Sequence, residues 1–177
     1  TTGDLNVAMG VSALRSNVLG DRNVAIGSNA LYYANPASKA EMYNVAIGLN
    51  AAFKLTTGVQ NTFVGGIAGT EITTGDYNTH VGYNSGGAAS AIAYTGEYNT
   101  SIGINSLSKI RAASNNTAIG FGSLENLSSA SNNTAVGGAA LQALTSGEGN
   151  VAVGGYAGDA ITSAGLNTLV GYASGTS

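Results

Sequence analysis

One five-residue string constrains this chain more than anything else in it: an Asn, a Val or Thr, a variable residue, an aliphatic residue and a Gly. It begins at Asn6, Asn23, Asn44, Asn61, Asn78, Asn99, Asn116, Asn133, Asn150 and Asn167. The steps between these Asn residues are 17, 21, 17, 17, 21, 17, 17, 17 and 17. Self-similarity at a fixed period marks a repeat architecture, in which each unit buries its apolar surface only by stacking on its neighbours. Apolar residues two apart within a unit, with a Gly directly after them, fit short strands and turns and exclude helix. The expected fold is all-β: a parallel β-solenoid, or β-roll, of ten coils of about 17 residues. Ten coils about 4.8 Å apart give a rod of roughly 48 Å.

Counting each coil's Asn as position 0, every column has a physical reading. Positions +1 (Val or Thr) and +3 (Ile, Val or Met) share one strand face and are expected to form the apolar wall of the interior. The Gly at +4 supplies a positive φ or lets the backbone pass close to the next coil. Position +7 is always Ala or Ser, as a crowded corner requires, and Leu55, Ile72, Ile110, Leu127, Leu144 and Ile161 recur at +11. The ten Asn side chains are expected to stack as a ladder, hydrogen-bonded along the axis at a buried turn. Neutral amides are poor metal ligands, so the ladder reads as structural.

Position +2 lies on the opposite strand face and holds Ala, Ala, Ala, Phe63, His80, Ser101, Ala, Ala, Ala and Leu169, without a formal charge when His80 is neutral. Strands apolar on both faces imply burial on both faces. If this column faces outward, other copies of the chain cover it, most simply as a homotrimer packed along the rod. The plainer alternative is a bland surface that tolerates small residues.

The string Asn-[Thr/Val]-Ala-[Ile/Val]-Gly-x-x-[Ala/Ser] resembles two related groups. One is the head domain of trimeric autotransporter adhesins, a left-handed parallel β-roll. The other is the repeat region of bacteriophage tail fibres, where such strings are common. The seventeen-residue period favours the tail-fibre group. The resemblance implies a left-handed coil, an intertwined or packed homotrimer, and an extracellular or virion rod that holds or forms a receptor-binding surface.

Composition narrows the function classes further. Only 8% of residues are charged and the net charge is −3, with six scattered basic residues, so no basic face is available for nucleic acid. No apolar run has transmembrane length, and the absence of cysteine removes disulfides and thiolate metal sites. The opening Thr1-Thr2-Gly3-Asp4 repeats as Thr73-Thr74-Gly75-Asp76, which suggests a start in mid-phase and a segment of a longer fibre chain, here read as a single domain over 1–177.

Candidate ligand-binding residues sit where the period breaks, between Leu31 and Asn44 and between Gly86 and Asn99. Insertions in solenoids map to one face, often the binding face. The residues that suit a glycan or protein contact are Tyr32, Tyr33, Lys39 and Tyr94, with Tyr43, Glu97 and Tyr98 nearby. Packing of these tyrosines on adjacent coils is the simpler account. His80, the sole histidine, would converge on a trimer axis if its column faced one, giving three imidazoles for a metal or anion. A packed core variant explains it more simply. The acids at −2 (Asp4, Asp21, Asp76, Glu97, Glu148) form either a calcium ladder or solvated charge, and the second fits their irregular occurrence.

No nucleophile motif, metal centre or cofactor is expected, and Glu41, Glu71 and Glu97 are the few carboxylates a glycosidase reading would have to use. The leading expectation is a structural rod segment of a tail-fibre-like appendage supporting host attachment. The alternative is a bacterial trimeric adhesin head that binds cell-surface or matrix ligands. A weaker one is an ice-binding solenoid, set aside because its Thr column (Thr62, Thr79, Thr100, Thr117, Thr134, Thr168) is assigned to the interior.

Overall fold

A computed structural model describes residues 3–87 and 94–175. The first coils contribute strands β1 (Val7–Met9), β2 (Gly20–Asp21), β3 (Val24–Ile26), β4 (Ala40–Glu41) and β5 (Val45–Ile47). One strand per coil follows: β6 (Thr62–Val64), β7 (Thr79–Val81), β8 (Thr100–Ile102), β9 (Thr117–Ile119), β10 (Thr134–Val136), β11 (Val151–Val153) and β12 (Thr168–Val170). Ten of these form one parallel sheet in chain order, while β2 and β4 pair separately at the first insertion. Register is strict, with Val24 opposite Val45, Phe63 opposite His80 and Thr117 opposite Thr134. The chain is therefore an all-β parallel solenoid.

The direction in which the strands face differs from expectation. In the inner coils the +2 residue is buried and its +1 and +3 neighbours are not: Ala25, Ala46, Phe63, His80, Ser101, Ala118, Ala135 and Ala152 all have no exposed surface. The small column fills the interior, and the β-branched columns face outward. Strand periodicity groups residues by face but does not say which face is inside. Here the choice is set by width. The interior between strand and corner is narrow, and Ala at +2 leaves room for the residue at +8.

That residue completes the core. Leu31, Leu107, Leu124 and Leu141 at +8 lie buried beside Ala or Ser at +2, together with the +7 corner residues Ala30, Ala51, Ala68, Ser85, Ser106, Ser123, Ala140 and Ala157 and the +11 aliphatics Leu55, Ile72, Ile110, Leu127 and Leu144. Where +2 is large, +8 is Gly: Phe63 with Gly69, His80 with Gly86, Leu169 with Gly175. A Cβ on Gly175 would fall 2.8 Å from Leu169 Cδ2. In coils three and nine both positions are small, Ala46 with Ala52 and Ala152 with Gly158. In coil nine neighbouring coils fill the space, as close packing demands: a Cβ on Gly158 would fall 2.6 Å from Leu169 Cδ1 and 2.9 Å from Leu141 Cδ2.

The backbone reaches this shape through four positive-φ positions per coil, at −1, +4, +6 and +8. Position +4 is Gly throughout, with φ from 122° to 138°, and a Cβ on Gly103 would come 2.5 Å from Gly120 O in the next coil. The other three positions often carry larger residues, such as Leu124 (φ 49°), Ile67 (φ 52°) and Tyr77 (φ 58°). Left-handed backbone costs a non-Gly residue about 1–2 kcal/mol. It persists because neighbouring coils fix it on both sides: Asn29 N–H donates to Val11 O (2.9 Å) and Leu31 N–H to Ala51 O (3.1 Å).

Candidate functional site

The Asn column forms the spine. Each Asn backbone N–H donates to the side-chain oxygen of the Asn one coil earlier, at nine successive steps from Asn23→Asn6 (2.8 Å) to Asn167→Asn150 (3.1 Å). Most of the Nδ2 groups donate to the same oxygen, and also forward to the −3 carbonyl that closes the coil, as in Asn61 to Gly75 O (2.9 Å) and Asn133 to Gly147 O (3.0 Å). Asn23 through Asn150 are fully buried in this column. These amides satisfy polar groups that would otherwise be stranded at a dry corner.

The proposed ligand-binding residues are not brought together. Tyr32 and Tyr33 pack with Phe53, at ring distances of 5.2 Å, and Arg15 lies over Tyr32 at 5.6 Å. Lys39, on the first insertion, folds back to the other corner and binds Asp4 Oδ2 at 2.7 Å and Asp21 Oδ2 at 3.6 Å. The Lys39 hydrogen bond holds the Asp4 carboxyl below the usual carboxylate range. Tyr43 donates to Glu41 Oε2 at 3.0 Å beside Arg22. Tyr94 is corrected outright: it is fully buried rather than exposed. It fills the slot that the +11 aliphatics fill elsewhere, so that a Cβ on Gly96 would meet Tyr94 Cε2 at 2.7 Å just as one on Gly58 would meet Leu55 Cδ1 at 2.7 Å. Each insertion thus returns one large side chain to the core, Met42 in the first and Tyr94 in the second. Residues 88–93 of the second insertion lie outside the described residues.

His80 takes the packed-core alternative, not the axial one. It lies inside its own coil with no exposed surface, so three copies cannot meet at an axis. Its Nδ1 is 2.6 Å from Ser101 Oγ and its Nε2 3.4 Å from the Tyr94 hydroxyl. Burial drives its pKa down to about 3. The Ser–His pair resembles a nucleophile and base, but a group sealed from solvent meets no substrate. Two acids of the −2 column cap backbone: Asp21 Oδ1 accepts from Asp4 N–H (2.6 Å) and Asp76 Oδ1 from Val59 N–H (2.8 Å), as Ser114 Oγ in the same column accepts from Glu97 N–H (3.0 Å). Among the described residues, no three His, Asp or Glu side chains are grouped to hold a metal ion.

What remains is the outer sheet face, which sequence reasoning placed inside. Its two strand columns contain Val, Thr, Ile and Met and no charge. Ile102 is 42% exposed and Val153 39%, close to what a side chain on an open flat sheet presents. Position +5 extends the apolar band with Val11, Leu49, Tyr83, Ile104, Phe121 and Tyr172, all exposed. The −1 column borders it on the other side, where Tyr77 and Tyr98 stack at 4.9 Å and 8°. The Thr column lies on this face too: Thr62, Thr79, Thr100, Thr117 and Thr134 are half-buried and Thr168 is exposed.

A parallel sheet left open on one face is unusual, because such sheets are normally covered on both. The −1 column is mixed, with Arg22, Gln60, Asn115 and Asn132 among its tyrosines and leucines. The uncharged strip is therefore that of the +1 and +3 columns, about 10 Å wide and about 48 Å long at standard strand spacing. Its roughly 500 Å² in projection lies at the upper end of the apolar patches that ordinary monomers expose. No protein family, curated protein or solved structure matches this chain in comparison.

Proposed function

We propose that the chain is a structural rod segment of an extracellular or virion fibre of the tail-fibre kind, in which three parallel copies bury their open sheet faces against one another. The observation that carries this reading is the uncharged outer face formed by the +1 and +3 columns. It replaces the +2 column as the ground for self-association. With the exposed +5 residues Val11, Leu49, Tyr83, Ile104, Phe121 and Tyr172 beside it, it is a surface of the kind that marks an association site. Closed rotational symmetry lets one repeated face serve every copy without an open edge. In this arrangement the rod spaces or supports a host-attachment surface and performs no catalysis. A bacterial trimeric adhesin head is the same architecture in another setting. Sedimentation equilibrium tests the reading: three times the chain mass is expected, and the mass of one chain across the micromolar range overturns it.

A second reading gains ground from the outward Thr column. Five consecutive coils, from Thr62 to Thr134, present a hydroxyl and a methyl at one-coil spacing on a rigid sheet, which suits an ordered water layer and hence ice. The exposed bulk of Tyr83, Ile104 and Phe121 beside it interrupts the flatness such a surface needs. Measurable thermal hysteresis in a monomeric sample would favour ice binding over the fibre.

A further inference from the structure

The geometry points to an acid-labile segment built into the rod: coils five and six, joined through His80, Ser101 and Tyr94, open more readily at mildly acidic pH while the opening of coils seven to nine is unchanged. The two coils share a buried His–Ser–Tyr network that, among the described residues, recurs nowhere else in the core. Ser101 Oγ touches both His80 Nδ1 (2.6 Å) and Ser85 Oγ (2.5 Å), and Ser85 Oγ reaches Ser106 Oγ (3.1 Å). The Tyr94 hydroxyl donates to Asn78 Oδ1 (3.1 Å) and accepts from Asn99 Nδ2 (3.0 Å). His80 is thereby wired to two rungs of the Asn spine.

Two proton arrangements satisfy the network, and in either a second ring proton displaces a neighbour's hydroxyl hydrogen. In the one where the Tyr94 hydrogen goes to Asn78, Nε2 of His80 carries the ring proton toward Tyr94, and Nδ1 accepts from Ser101. There a second ring proton must go to Nδ1 and turn the Ser101 hydroxyl away. The resulting imidazolium has no counter-charge. Phe63 from β6 lies against the ring at 5.7 Å, Ser101 comes from β8, Gly86 from the corner, and Tyr94 from the end of the insertion at 5.9 Å. Tyr94 is the one titratable group facing the ring among the described residues, and burial raises its pKa, so it stays neutral and supplies no negative charge. The buried side chains of coils seven to nine are Ala, Leu, Ser and the spine Asn, without a titratable group.

The direction of the effect follows from linkage. A histidine whose pKa falls from 6.5 to about 3 on folding binds more protons when its surroundings open, so stability is fully present above pH 6.5 and declines as pH falls toward 3. Between pH 7 and pH 5 the local opening equilibrium should rise about twenty-five-fold.

Hydrogen exchange corrected for intrinsic rates tests this. Peptides over residues 78–87 and 94–106 should lose protection by that factor between pH 7 and pH 5, while residues 116–153 should not. His80→Phe borrows the Phe63–Gly69 arrangement of coil four and should abolish the difference. A uniform response along the rod, or an unchanged one in His80→Phe, overturns the proposal. A separate readout needs no variant. The His80 Cε1 proton resonance of the folded protein should not titrate between pH 8 and pH 5, and a midpoint near 6.5 would refute a sealed imidazole.

Discussion

A Cβ added to Gly86 would fall 2.5 Å from the His80 ring, six residues back in the same coil. The same relation holds between Gly69 and Phe63, and it is reversed in coils where +2 is Ala and +8 is Leu. In these coils two positions on opposite walls share one volume, and a large residue at one goes with a small residue at the other.

This sharing is open to a swap. Phe63→Ala alone should cost about 3–5 kcal/mol through the cavity it leaves, and Gly69→Leu alone about 1–3 kcal/mol or more through overpacking. The double variant recreates the Ala–Leu arrangement of coil seven and should recover more than half of the summed loss. Urea unfolding of the four proteins measures it.

Asn116→Ala removes the acceptor for Asn133 N–H (3.0 Å) and the donor to Ala130 O (3.1 Å), both buried. At roughly 1–3 kcal/mol for each stranded group, a loss of about 3–5 kcal/mol is expected, concentrated in coils seven and eight. Chemical denaturation and site-resolved exchange together would show both its size and its place. A surface-like loss below about 1 kcal/mol would mean that water replaces the ladder.

Ile67→Asn should stabilise the protein. Ile67 is β-branched at φ 52°, where Asn is among the residues best tolerated. It also sits between Asn50 and Asn84, whose columns already pair as Asn29 with Asn50 and Asn84 with Asn105, each at 3.0 Å. An Asn at 67 would join the two pairs into a run of five. A gain of about 1 kcal/mol is expected, read as a higher melting temperature.

Ile102→Glu with Ile119→Glu tests the outer face independently of the core. Both side chains point to solvent in a single chain, so the stability of the isolated rod should change by less than about 1 kcal/mol. Assembly through this face should fail, because two charges would be buried unpaired. Sedimentation should then give one chain mass, with the circular dichroism of the parent retained.

The repeat made most of this fold legible. The period placed all ten strands, the Asn column marked the spine, and the +7 and +11 columns marked the core, because each repeats a single physical demand. The strand faces were not legible by polarity, since both are uncharged and hydrophobicity alone could not choose between Ala inside and Ile inside. A signal did exist in the inverse sizes of +2 and +8 at Phe63–Gly69 and His80–Gly86, which only residues sharing one enclosed space would show. Tyr94 was misread for a different reason. An insertion of four residues breaks the count, and an aromatic residue past the break carries no phase to say whether it points inward.

The spine also gives the rod a sense. All nine backbone donors of the Asn column point the same way, each toward the coil before it. One end of any stretch of coils therefore offers a waiting acceptor and the other a waiting donor. Like a filament with unlike poles, it extends only head to tail. A junction of two such stretches tail to tail would set donor against donor and break the run at its most buried point.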